Sequence, residues 1–287
     1  MRYKFLFIIF FLIGQCYAQQ EPHFTIFWNN YSLYNPAATG LFNKHFASLN
    51  GRLQWVNFNK APKTISAVYD FKWEKINSGI GINYIYDQLG FEKNNKINLT
   101  YSYQFNLKKD RVLSSGVSFG ILRKSIDYSK FITIDSNDPL LNSNTVQRDD
   151  LFNINFGLMF KSPHFLFGLS ATQLNESESK ILHLKNSRHY YFVCSYNTNA
   201  GKNFNIKPII LIKSDIVSTQ YDINLLLTYK KRIWTGVSYR IDDAIAFMGG
   251  ADIKGKYRIG YSYDYTISAF ANYSNGSHEV VMALMLK

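Results

Sequence analysis

In Lys256-Tyr-Arg-Ile-Gly-Tyr-Ser-Tyr-Asp-Tyr265 every second residue is aromatic or aliphatic. Tyr257, Ile259, Tyr261, Tyr263 and Tyr265 fall on one side of a strand, and Arg258, Gly260, Ser262 and Asp264 on the other. Successive side chains of a strand point to opposite faces, so a period of two marks a strand. A continuous aromatic face behind a charged or tiny one suits two settings. One is a half-buried sheet in a soluble sandwich. The other is a membrane strand, with lipid on one side and a polar lumen on the other.

The pattern recurs along the chain. Apolar sets begin at Ala47-Leu49-Leu53 and Ile65-Ala67-Tyr69 and continue through Ile80–Tyr86, Ile97–Phe105, Leu113–Ile121, Phe152–Phe160 and Phe165–Leu169. They return at Tyr221–Tyr229, Ile233–Tyr239, Ile245–Ala251 and Val280–Leu286. Runs near 188–196 and 204–213 are weakest, because both faces carry bulky residues. The total is about fourteen strands of roughly ten residues, the length a tilted membrane strand needs. Turns after even strands are short: Lys108-Lys109-Asp110, Ser162-Pro163-His164, Lys230-Lys231-Arg232 and Lys254-Gly255-Lys256. Connections after odd strands are expected to be long: Asp87–Lys96, Asp127–Asp150, Gln173–Ser187 and Thr266–Ser277. Short periplasmic turns and longer outer loops belong to bacterial outer-membrane barrels; a soluble sandwich has no reason to alternate them. The expected fold is all-β, a transmembrane antiparallel up-and-down barrel.

The N-terminus agrees. Arg2 and Lys4 precede the apolar run Phe5–Ile13, and Cys16-Tyr17-Ala18 offers small residues for cleavage. Residues 1–18 read as a secretory signal peptide and are excluded from the fold. Gln15 before Cys16 departs from the small residue that a lipoprotein site wants. Cleavage after Ala18 leaves Cys194 as the single cysteine, so no internal disulfide staples the exported protein. Aromatic residues make up 17% of the chain, yet mean hydropathy is −0.17. Alternation dilutes hydropathy in this way. The formal charge is +12, falling to +10 when Arg2 and Lys4 leave. That charge sits largely in turns, which points to lipid headgroups and protein partners and not to nucleic acid.

Residues 19–43 are dense in aromatics but irregular, and Asn35-Pro36 breaks any regular element. Trp28-Asn-Asn-Tyr-Ser-Leu-Tyr-Asn-Pro-Ala-Ala-Thr-Gly40 resembles the N-terminal signature of the PorP/SprF family. Arg52-Leu-Gln-Trp55 with Ala61-Pro62-Lys63-Thr64 resembles the family's next block. Ile126–Lys130 with Asp138-Pro139-Leu140 resembles its central loop. Arg240 with Asp242-Asp243-Ala244, Arg258–Tyr265 and Gly276–Glu279 resemble its C-terminal blocks. Two departures stand out: Asp135-Ser-Asn-Asp138 replaces a tighter acidic run, and the chain ends Leu286-Lys287 where many barrels end in an aromatic. The resemblance implies an outer-membrane component of the type IX secretion and gliding-motility apparatus of Bacteroidetes. It implies partners among periplasmic or outer-membrane secretion components, or a large secreted adhesin. The alternative from another class is a transport barrel for small or hydrophobic solutes.

Catalysis finds little support. Ser277-His278-Glu279 offers suitable residue types, but neighbours on a strand face opposite ways. No Cys pair, His pair or glycine-rich phosphate loop has metal or cofactor spacing, so no metal and no cofactor is expected. Three groups of residues carry the functional expectations. Arg52, Asp70, Asp222, Arg240, Asp252, Arg258, Asp264 and Glu279 fall on the lumen face as a polar network. Lys108, Lys109, Arg111, Lys230, Lys231, Arg232, Lys254 and Lys256 form a basic periplasmic rim. Trp28, Asn35, Pro36 and Gly40 mark 19–43 as a plug for a barrel over 44–287, since a lumen this wide is either filled or conducts water.

Overall fold

A computed structural model describes residues 21–131 and 145–286. The signal peptide expected over 1–18, the Asp135–Asp138 run with Pro139 and Leu140, and Lys287 lie outside the described residues. Fourteen antiparallel strands form the wall: β1 (His45–Leu53), β2 (Lys63–Trp73), β3 (Ser78–Leu89), β4 (Glu92–Leu107), β5 (Arg111–Asp127), β6 (Val146–Lys161) and β7 (Phe165–Thr172), then β8 (His189–Tyr196), β9 (Phe204–Ser214), β10 (Thr219–Tyr229), β11 (Ile233–Arg240), β12 (Ala244–Ile253), β13 (Tyr257–Thr266) and β14 (Ser277–Leu286). Each pairs with its sequence neighbours, and β1 pairs with β14 to close the barrel. Among the described residues closure leaves none of the fourteen strands at an open edge of the sheet, which a bilayer core demands.

The outward face is the apolar set of the sequence pattern. Leu99, Phe119, Phe152, Leu169, Ile223, Leu225, Phe247, Tyr261 and Val280 stand exposed, while their neighbours turn inward. Two expectations need correction. The stretch Asp87–Lys96 is not a long loop: β3 and β4 stay paired to Leu89↔Glu92 and turn at Gly90-Phe91. Likewise β5 and β6 stay paired as far as Asp127↔Val146. The hydrophobic alternation stops where lipid stops, but the backbone ladder continues into water, so the strands outrun their apolar signal. Out there Arg123 and Asp150, opposite each other in register, form a two-pronged outward ion pair at 2.7 Å.

The second correction concerns the lumen face, which is not polar all round. Met159, Tyr191, Val193, Ile209, Leu211, Leu226, Trp234 and Met248 point inward and are buried. This explains β8 and β9, whose two bulky faces obscured them in sequence. One face meets lipid and the other packs on residues 24–41.

That segment runs through the lumen as three short 3-10 turns, Phe27–Asn29, Tyr31–Leu33 and Pro36–Ala38. Phe24, Ile26, Phe27, Tyr31, Tyr34 and Ala37 are buried against the inward apolar residues of β6–β12. By the rule for bacterial barrels, the end where β1 starts and β14 finishes is periplasmic. Arg in place of Leu225 should cost about 2–4 kcal/mol in refolding into lipid, and Arg in place of Thr228, which faces the cavity at the periplasmic mouth, much less. Equal losses at the two positions would mean that Leu225 does not meet lipid.

Candidate functional site

The plug is seated by glycines. A Cβ on Gly157 would lie 2.0 Å from Asn35 Oδ1, one on Gly116 2.4 Å from the Ala37 nitrogen, and one on Gly79 2.0 Å from the Thr39 oxygen. These inward positions on β6, β5 and β3 must lack side chains for the Asn35–Gly40 backbone to lie against the wall. Asn35 then does two jobs. Its Oδ1 accepts from Ala37 N at 2.9 Å, starting the Pro36 turn, and its Nδ2 donates to the carbonyls of Leu158 and Leu169 at 3.0 and 3.2 Å. Pro36 takes the first turn position, where its missing N–H costs nothing. Small polar wall residues satisfy the rest of the plug backbone. Ser170 donates to the Tyr34 carbonyl at 2.7 Å, Ser102 to the Thr39 carbonyl at 2.7 Å, Gln104 to the Gly40 carbonyl at 3.0 Å, and Asp70 accepts from Gly40 N at 2.9 Å. Irregular backbone at membrane depth is tolerated only with such partners.

The eight lumen charges named from sequence divide three ways. Arg52, Asp222, Arg240, Asp264 and Glu279 meet in one buried cluster toward the outer end. Arg52 reaches Asp264 at 2.8 Å and Glu279 at 3.3 Å; Arg240 reaches Asp222 at 3.0 Å and Asp264 at 3.4 Å. Thr25 of the plug sits at the centre. Its hydroxyl donates to Asp264 and accepts from Arg52 at 2.9 Å and Arg240 at 3.3 Å, while Glu279 accepts from the backbone N–H of Thr25 and Ile26 at 2.7 and 3.1 Å. Asp252 and Arg258 form a separate two-pronged pair at 2.7 Å nearer the periplasm, where Arg258 also donates to Asn29 at 3.2 Å. Asp70 stands apart, bound to the plug backbone.

Sequence reasoning missed several anchors. Glu21 pairs with Lys96 at 2.6 Å, and its carbonyl accepts from Lys213 at 2.7 Å. Asn30 accepts from Ser48 at 2.6 Å and donates to Asn50 at 2.9 Å. Trp28 meets Trp234 edge-to-face at 4.9 Å, and Trp234 lies over Gly250 and Gly260. The signal available was the run of Gly, Ser, Thr and Asn at inward positions, which sequence alone reads as a wet lumen. Ser277 and Glu279 point inward and are buried, whereas His278 points out, its Nδ1 2.6 Å from the Tyr261 hydroxyl, so these three do not meet.

The rim residues take up the periplasmic turns, except Arg111, which opens β5. Lys109 and Asp110, Lys230 and Lys231, and Lys254 and Gly255 are adjacent pairs with positive φ. Tight hairpin turns require this conformation, and Gly or Asn adopts it most cheaply. Four lysines occupy such positions instead.

Gly116→Ala should cost about 1–3 kcal/mol by overpacking and admit protease from the periplasmic side between Tyr31 and Gly40. Gly51→Ala, where a Cβ meets nothing within 4 Å, should leave both the melting midpoint and the cleavage pattern unchanged. A wild-type cleavage pattern in Gly116→Ala would disprove the seating of the plug.

The profile described as type IX secretion system membrane protein PorP/SprF matches residues 16–284. A search of curated proteins returns no match. Among solved structures, the Acinetobacter baumannii outer membrane protein Omp33 is similar at 9% identity and TM-score 0.51, over 86% of this chain and 100% of that one. The CymD monoaromatic hydrocarbon channel is similar at 11% identity and TM-score 0.52, over 88% and 90%. The Ralstonia pickettii toluene transporter TbuX is similar at 7% identity and TM-score 0.51, over 89% and 93%. At such identities the likeness is one of fold, an outer-membrane barrel. The profile match spans the plug and nearly the whole wall, and on it the chain belongs to the PorP/SprF family of type IX secretion system membrane proteins.

Proposed function

We propose that this protein is a non-enzymatic outer-membrane component of the type IX secretion and gliding apparatus, supporting export or surface anchoring of a large adhesin-type protein. On this reading a signal peptide cleaved after Ala18 delivers it, residues 19–43 keep the barrel shut, and the basic rim joins it to periplasmic secretion components. The observation that carries the reading is the plug. The family's own signature, Trp28–Gly40, is the part that fills the lumen, and a filled lumen suits a scaffold better than a solute channel. The lysines held at positive φ add weight, because cheaper residues are available at those turns unless their charge has a use. Long-range attraction to an acidic partner would speed association and weaken as salt shortens the Debye length from about 8 Å.

The rival is a transport barrel, and conductance separates the two. Purified protein in a planar bilayer should show no steady open pore. A stable conductance from the intact chain would favour transport.

Reversing Lys230, Lys231 and Arg232 to Glu should leave the barrel folded and in the outer membrane. Co-purification of periplasmic secretion components should fall sharply, and adhesin display with it. A triple variant that keeps its full set of partners and its secretion activity would leave the rim as a solvated edge only.

A further inference from the structure

A cavity of about 260 Å³ lies between the plug and the periplasmic ends of β9, β10, β11, β13, β14, β1 and β2. Trp28, Tyr31 and Phe42 of the plug and Trp234 of β11 give it aromatic walls, and Lys207 and Arg258 bring two cations to it. The cations differ. Arg258 is neutralised by Asp252 and stacks 5.1 Å from the Trp28 ring. Lys207 stands 5.8 Å from the Tyr31 ring and has no carboxylate partner among the described residues. The indole N–H groups of Trp28 and Trp234 and the hydroxyls of Tyr31 and Ser32 are buried without a partner, and Asp70, the one carboxylate in the lining, accepts from Gly40 N through one oxygen. The site therefore offers aromatic surface and one ammonium with no carboxylate partner among the described residues.

We propose that this cavity is a docking pocket for a protein partner, taking one aromatic side chain flanked by carboxylates on an acidic peptide segment. The proposal rests on the secretion-component reading and deepens it by naming what the periplasmic face recognises. Three observations favour a peptide over a free solute. The cavity is slightly smaller than the roughly 300–1,000 Å³ of sites that enclose a drug-sized ligand, so it suits a single anchor side chain. The plug residues Asn30, Tyr31 and Ser32 line it, and the lumen beyond is filled by the buried side chains of the plug. The positive charge continues outward from Lys207 to the turns at Lys230–Arg232 and Lys254–Lys256, farther than one small anion reaches. An aromatic anchor in a desolvated pocket, ringed by charge that excludes wrong partners, is how protein interfaces concentrate affinity.

The test uses the purified full-length barrel in detergent and a fluorescein-labelled peptide, Gly-Gly-Asp-Phe-Glu-Asp, followed by fluorescence anisotropy at low and high salt. Controls are the same peptide with Phe replaced by Ser, the same peptide with its acids replaced by Asn and Gln and its C-terminus amidated, and decanoate. The acidic Phe peptide should bind, and each peptide control should bind at least about tenfold more weakly, the effect of losing one good contact. Lys207→Gln should weaken binding about tenfold, and Lys207→Arg should restore most of it. Thr228→Trp, which fills the cavity and keeps every charge, should abolish it; folding of each variant is checked by the heat-dependent shift in gel mobility. The proposal is overturned if the acidic and neutral peptides bind alike, or if folded Lys207→Gln and Thr228→Trp bind as the wild type does. Decanoate binding without peptide binding overturns it in favour of a solute site. The rim is intact in all these variants, so failure here leaves the rim-dependent co-purification standing. Failure of co-purification with peptide binding intact would reject the rim and keep the pocket.

Discussion

Arg52 and Glu279 are register partners across the seam where β1 meets β14, and their side chains meet on the lumen side of that seam. Everything else in the barrel depends on that seam closing. The same Glu279 accepts the backbone N–H groups of Thr25 and Ile26, and the same Arg52 donates to the Thr25 hydroxyl. Wall closure and plug seating thus share their atoms. A buried ion pair is by itself weak evidence for stability, since desolvation offsets much of the attraction, whereas removing one partner strands the other at a cost of about 3–5 kcal/mol. The cluster's value is therefore in specifying one arrangement: Arg240 and Asp222 pair between neighbouring strands, Arg52 and Glu279 pair only across the closed seam, and Thr25 joins the two pairs only when the plug is in.

The outward face was legible in sequence because lipid imposes one requirement on every spanning residue. Tyr257 to Tyr265 state it plainly, and Phe152 to Phe160 repeat it. The inward face answers to a neighbour that is part of the same chain, so its pattern follows the plug and has no period of its own. Gly79, Gly116 and Gly157 look like a thin, wet lumen until Asn35–Gly40 is laid over them. Tyr191, Val193, Ile209 and Leu211 look like a broken alternation until Phe27 and Tyr34 are set against them. The strand extensions at Glu92 and Val146 were illegible for another reason: once both faces meet water, alternation carries no information, although the ladder persists.

The candidate site shows the same division. That Arg52, Asp222, Arg240, Asp264 and Glu279 face inward follows from strand phase alone. That they form one cluster, apart from Asp252–Arg258 and from Asp70, depends on height along the barrel and on Thr25, and neither is written in the alternation. The basic rim needed only turn positions. Its lysines at positive φ needed the backbone.

The plug's attachment bears on what the barrel can do. Glu21 is fixed near the outer end by Lys96 and Lys213, and Gly40 near the periplasmic end by Asp70 and Gln104. The segment thus spans the height of the lumen and is held at both ends. Only residues 41–44 separate Gly40 from β1, and Leu41 is buried with its carbonyl accepting from Lys161 at 3.0 Å. No free tether remains on which the plug could swing out as a unit. Withdrawing it would break the Thr25 contacts with Arg52 and Glu279, and so loosen the strands that close the wall. A gate needs a moving part whose release leaves its frame intact. Here plug and frame share their contacts, which favours the proposed scaffold reading over a gated channel.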